Sequence, residues 1–130
     1  MKINKKLVYG AILAVVAAIA VIGWIMVKGG TGVQGKYDDF AKCLTEKEAK
    51  LYTTYWCPHC TEQKELFGSS LKYVDVTECD QEGKNAEPEK CKAADVTSIP
   101  AWIFADGSKE VGVHALEQLA KTTECTLPQE

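Results

Sequence analysis

The 130-residue chain balances 15 Lys, with no Arg, against 18 acidic residues, for a formal net charge of −3. With Lys2, Lys5 and Lys6 set aside, residues 7–130 carry −6, which argues against a nucleic-acid partner, because phosphate neutralisation by cationic side chains supplies most of that affinity. The length suits one modest domain plus an appendage.

The 46% hydrophobic content is unevenly spread. Leu7–Val27 reads "LVYGAILAVVAAIAVIGWIMV", without a charge. As a helix it would extend about 31 Å, close to a bilayer core of roughly 30 Å. The expectation is one transmembrane signal anchor over 7–27, with residues 1–6 cytoplasmic because of their lysines and everything after it extracytoplasmic. The competing reading is a signal peptide cleaved after Ala18-Ile19-Ala20, but the apolar run is longer than such peptides use and cleavage would leave an apolar tail. Both readings export the remaining chain. Trp24 is expected at the membrane interface.

"KGGTGVQG", residues 28–35, has four glycines in eight positions and reads as a flexible linker. The domain proper is then 36–130. Tyr37, Phe40, Ala41 and Leu44 recur at helical spacing, so Lys36–Ala49 is expected to form a helix. "KLYTTY", Lys50–Tyr55, is a strand by composition. Pro58 begins a helix that runs to Phe67, with Gly68 as its C-terminal cap. Leu71–Thr77 is a second strand. Glu78–Lys92 is a polar loop, with a short helix near Pro88–Ala94. "AWIFA", Ala101–Ala105, is a buried strand. Asp106-Gly107 signals a two-residue hairpin returning along Lys109–Val113. His114–Thr123 carries Leu116, Leu119 and Ala120 on one side and reads as a terminal amphipathic helix. A helix directly after a strand favours a parallel pair, and the hairpin adds an antiparallel one. The architecture is therefore α/β, a small mixed sheet with helices on its faces.

All six cysteines, at 43, 57, 60, 79, 91 and 125, follow the apolar run. An even number in a small exported domain reads as a disulfide framework. Cys57-Pro58-His59-Cys60 stands where strand gives way to helix. Unpaired N–H groups and the positive dipole end of a helix stabilise a thiolate there, so Cys57 is the expected nucleophile and leaving group. Cys60, one turn further in, would resolve a mixed disulfide. Pro58 and His59 tune the pair, a protonated His59 favouring the Cys57 thiolate. A zinc site would need two further ligands from Cys79, Cys91 and His114, and that spacing lacks a second CxxC knuckle. A purely structural CxxC disulfide closes almost no loop and adds little stability. No metal and no cofactor is expected. His114 reads as a capping or surface residue, and Trp102 as core. Ile99-Pro100 marks a turn entering a strand, with a trans bond as the default.

"WCPHC" after a strand, with "SIPAWIFADGSKEVG" downstream, resembles the thioredoxin superfamily across about Lys50–Thr122. "FAKCL", "YWCPHCTEQKELFGSS", the Cys79/Cys91 loop and a terminal cysteine resemble more narrowly the thioredoxin-like domain fused to bacterial vitamin K epoxide reductase homologues; CPHC is also similar to periplasmic disulfide oxidoreductases. The resemblance implies a thioredoxin-like mixed four-stranded sheet flanked by helices, here behind one transmembrane helix. It implies attack at Cys57, resolution by Cys60, an aromatic Trp56 before the motif, and a cis-proline loop, Ile99 and Pro100, whose backbone pairs with substrate. It departs at Leu51, where many members bury an acid that shuttles the proton of the resolving cysteine. With Cys57 paired to Cys60, three connectivities remain for the other four. Cys79–Cys91 and Cys43–Cys125 are favoured, and the resemblance supports them; loop entropy assigns them roughly 3 and 4.5 kcal/mol. A relay role for Cys79 and Cys91 is the alternative.

The expected function is that of a membrane-anchored extracytoplasmic thiol-disulfide oxidoreductase. Its partners would be exported protein thiols and a membrane redox protein, vitamin K epoxide reductase-like or otherwise quinone-linked, that reoxidises it. The alternatives are a reductase or isomerase fed electrons from the cytoplasm, and a redox-inert binding module.

Overall fold

The computed structural model describes the backbone of residues 5–28 and 35–129, and the side chains of 8–20 and 35–129. The chain divides into two units, 1–33 and 34–130. The first is a single helix, α1 (Lys5–Lys28). Its described side chains, from Val8 to Ala20, are all exposed, including Ile12, Leu13, Val16 and Ile19. Among the described residues no helix is long and apolar enough to cross a membrane. The span expected over 7–27 runs past the described side chains, and so does Trp24. Most of the expected linker, 29–34, lies outside the described residues.

The second unit runs α2 (Asp38–Glu46), β1 (Lys50–Thr53), α3 (Pro58–Glu65), a 3-10 turn (Gly68–Tyr73), β2 (Asp75–Glu78), α4 (Pro88–Ala93), β3 (Ala101–Ile103), β4 (Lys109–Val111) and α5 (Leu116–Thr123). The sheet order is β2-β1-β3-β4, with β1 and β2 parallel and the other two pairs antiparallel. This is the mixed four-stranded sheet flanked by helices of a thioredoxin-like α/β fold.

Strand alternation divides the buried residues between two faces. Leu51 and Trp102, opposite each other in the β1–β3 register, join Phe40, Ala41 and Leu44 of α2, Phe67, and Leu116 and Leu119 of α5 in the larger core. Phe67 links the rings, with centroids 6.2 Å from Phe40 and 6.1 Å from Trp102. Tyr52 and Ala101 turn the other way and pack with Cys91 of α4.

Several boundaries differ from expectation for local reasons. Leu71–Tyr73 was expected as strand but forms the 3-10 turn, because it is tied to α2. The Tyr37 N–H donates to Ser70 Oγ (3.2 Å) and Thr45 Oγ1 donates to the Tyr73 carbonyl (2.7 Å). Pairing with β1 therefore starts only at Asp75. The hairpin loop is longer than two residues: the Phe104 N–H donates to Ser108 O (3.0 Å) and the Gly107 N–H to Phe104 O (2.9 Å). Gly107 takes the left-handed conformation at φ +81°, and Asp106 Oδ1 accepts from the Ser108 N–H. Past the end of α2, Glu48 takes the left-handed conformation (φ +57°); its N–H donates to Thr45 O and the Ala49 N–H to Leu44 O. This is a Schellman cap built without glycine.

Candidate active site

β1 stops at Thr53, and the Thr54 carbonyl turns back to accept from the Cys57 N–H at 3.4 Å. α3 then begins at Pro58, whose missing N–H costs nothing in a first turn. Cys57 is thus the residue immediately before the helix, in extended geometry (φ −82°, ψ 119°). It is 6% exposed, whereas Cys60, one turn into α3, is wholly buried. Both are free thiols.

Their environments separate them electrostatically. Burial pushes the Cys57 thiol up, but a hydrogen bond from the Cys60 thiol, the backbone N–H groups of Cys60 and His59, and the Lys64 charge outweigh it, so its pKa lies below the ordinary value. Cys60 is pushed up to about 12, first by burial and then by its hydrogen bond to Cys57. Cys57 is consequently the more acidic thiol of the pair and Cys60 the proton-holding one. His59 contributes a backbone N–H here, while its exposed ring turns to Glu62, with Nδ1 3.4 Å from Oε2. Leu51, where the thioredoxin pattern would put an acid, is an entirely buried apolar side chain.

Trp56 and Tyr55 stand exposed before the pair, at 60% and 51%. They are held from the loop after β2: Trp56 Nε1 donates to Asp80 Oδ2 (2.8 Å), and Tyr55 Oη donates to Glu82 Oε2 (3.3 Å). That loop is closed by the Cys79–Cys91 disulfide, and the Cys79 N–H donates to Thr53 O (2.8 Å), which extends β1–β2 pairing toward the site. Cys43–Cys125 joins α2 to the segment after α5. Ile99-Pro100 has a cis peptide bond, and Pro100 is among the fully buried residues. Its carbonyl accepts from the Gly112 N–H at 2.8 Å.

Gln63, outside the sequence expectations, and His114 complete the arrangement. Gln63, wholly buried on α3, exchanges two hydrogen bonds with the backbone of His114: Nε2 donates to His114 O (3.1 Å), and the His114 N–H donates to Oε1 (2.7 Å). His114 itself is neither a cap nor a surface residue. Ala115 occupies the position before α5, and the His114 side chain is 12% exposed, with Nδ1 3.3 Å from Glu110 Oε2. Gln63 was findable in principle, since it lies three residues past Cys60 on a helix and so shares its buried face. The Asp80 and Glu82 contacts reach 24 and 27 residues back along the chain, and no local pattern marks them. Among the described residues, no group of three or more His, Cys, Asp or Glu side chains is placed to hold a metal ion.

A lowered thiol before a helix, backed by a buried thiol of high pKa on a thioredoxin-like sheet, defines a dithiol-disulfide exchange centre. No family model matches the chain. It is 37% identical over 93 residues to thiol-disulfide oxidoreductase LTO1 of Arabidopsis thaliana, an alignment covering 68% of this chain but only 24% of that protein. It is 38% identical over 77 residues to a glutaredoxin of Pseudomonas aeruginosa, covering 55% of this chain and 86% of the glutaredoxin. The chain belongs to the thioredoxin superfamily and is an oxidoreductase enzyme.

Proposed function

We propose that this enzyme is a membrane-anchored, extracytoplasmic thiol-disulfide oxidoreductase that introduces disulfides into exported proteins. The observation that carries the proposal is the opposed titration of Cys57 and Cys60. A stabilised Cys57 thiolate favours the reduced enzyme, which makes the oxidised pair a better electron acceptor. The anchor and compartment are supported by the uncharged run over 7–27 behind three lysines, by the exposed apolar side chains of α1, and by two further disulfides.

In the forward reaction a substrate thiolate attacks Cys57 Sγ of the Cys57–Cys60 disulfide. The Cys60 sulfur leaves and takes a proton. A second substrate thiolate then attacks its own sulfur in the mixed disulfide and releases the Cys57 thiolate. The substrate loses two electrons and two protons and gains a disulfide; the enzyme takes both electrons, with one proton on Cys60 and the other passing to solvent or to Cys57. A membrane partner, vitamin K epoxide reductase-like or otherwise quinone-linked, takes the two electrons back out. The backbone at Ile99-Pro100 receives the extended substrate chain.

The test uses Cys60→Ala in the full chain. Mixed disulfides through Cys57, both with exported proteins and with a membrane protein, are the expected products. Their absence, with Cys57 still reactive to a small alkylating agent, rejects the proposal.

A further inference from the structure

We infer that Gln63 is a positioning residue that fixes the Ile99–Pro100 loop against the helix bearing Cys57 and Cys60. This rests on the reading above, in which that loop receives substrate. Gln63 is entirely buried three residues past Cys60, on the same side of α3. A buried amide is retained without penalty only when its polar atoms are paired. Both ends of Gln63 pair with one residue, His114, as donor at 3.1 Å and acceptor at 2.7 Å. Two positions earlier the Gly112 N–H donates to the Pro100 carbonyl at 2.8 Å. Gly112 has φ +107°, a conformation that side chains rarely adopt. The segment 112–114 is therefore a bracket, held at one end by the thiol-bearing helix and at the other by the proline loop.

An apolar side chain of similar size would fill the same volume without linking the two. The amide adds directional bonds, and with them a fixed offset between Cys57 and the loop backbone. Among side chains of this length only glutamine, or a protonated glutamate, both donates and accepts in this way.

The experiment compares two reactions of the full chain in detergent. Oxidation of an extended dithiol peptide needs the loop, whereas alkylation of reduced Cys57 by iodoacetamide needs only the thiolate. For Gln63→Leu the expected kcat/KM for the peptide falls about 10- to 100-fold, with the alkylation rate within about twofold of the parent. For Gln63→Glu, burial raises the carboxyl pKa. Its peptide rate relative to the parent at the same pH should be near one when the carboxyl is protonated and should fall as it ionises.

Parent-like peptide oxidation by a folded Gln63→Leu overturns the inference. So does an equal loss in both reactions, which would place the effect on the thiolate. If Gln63→Leu does not fold, the Gln63→Glu ratio decides, and a ratio flat with pH rejects the bracket. A parent enzyme that alkylates normally but does not oxidise the peptide refutes the oxidase reading itself, a result separable from any effect of position 63.

Discussion

Cys57 and Cys60 differ by one helical turn, yet Cys57 faces the backbone N–H groups at the start of α3, while Cys60 is wholly buried behind it. The reduced enzyme should therefore alkylate at one site. Iodoacetamide is expected to modify Cys57 at pH values below the ordinary thiol range, because its depressed pKa leaves thiolate there, and the rate should fall only once pH passes below that lowered value. Cys60, pushed up to about 12, should stay unmodified through pH 9. Mass mapping across that range checks both, and early labelling of Cys60 would contradict the assignment. The CPHC motif, the strand-to-helix junction and the position of Cys57 at its start were legible in the sequence because they depend on neighbours in the chain. His59 acts on Cys57 through its backbone N–H, which the motif's position at the helix start makes legible, whereas the contact of its ring with Glu62 on the next turn was not. Leu51 was correctly singled out, and its complete burial opposite Trp102 leaves no carboxylate there to take the Cys60 proton.

At the scale of elements, composition located every helix and strand of the second unit to within a few residues except at 71–73. There the alternation of Leu71 and Tyr73 imitates a strand, but bonds to α2 hold the chain in a 3-10 turn. The late start of α5 has a similar origin, since both backbone polar groups of His114 are already engaged by Gln63. Neither contact is local, so neither left a periodic signal. The Cys43–Cys125 disulfide spans 82 residues and flanks the larger core. Loop entropy gives it about 4.5 kcal/mol, against about 3 kcal/mol for Cys79–Cys91, which spans 12. Replacing both Cys43 and Cys125 by Ser should thus lower the denaturation midpoint more than replacing both Cys79 and Cys91. Urea titrations of the two double variants measure the order; the reverse order would show that strain or denatured-state structure dominates.

Across the whole molecule, the mixed sheet followed from two sequence facts, a helix between β1 and β2 and a hairpin after Ile103, while the strand order needed the structure. Direction of electron flow is also a property at this scale, since it depends on the difference in free energy between two complete states. The oxidase reading expects the Cys57–Cys60 couple to lie well above the thioredoxin value of about −270 mV, toward the −120 mV of strong oxidants. A couple near −270 mV would instead support the reductase reading.

Trp56 supplies a direct optical readout for that titration. It adjoins Cys57 in the chain, is 60% exposed, and has its indole N–H held by Asp80, whereas Trp102 is sealed in the core against Phe67. Disulfides quench nearby indole emission by accepting an electron from the excited ring. The oxidation state of the pair should therefore be written in the fluorescence of Trp56, and Trp56→Phe should abolish the signal while leaving the emission of Trp102 in place.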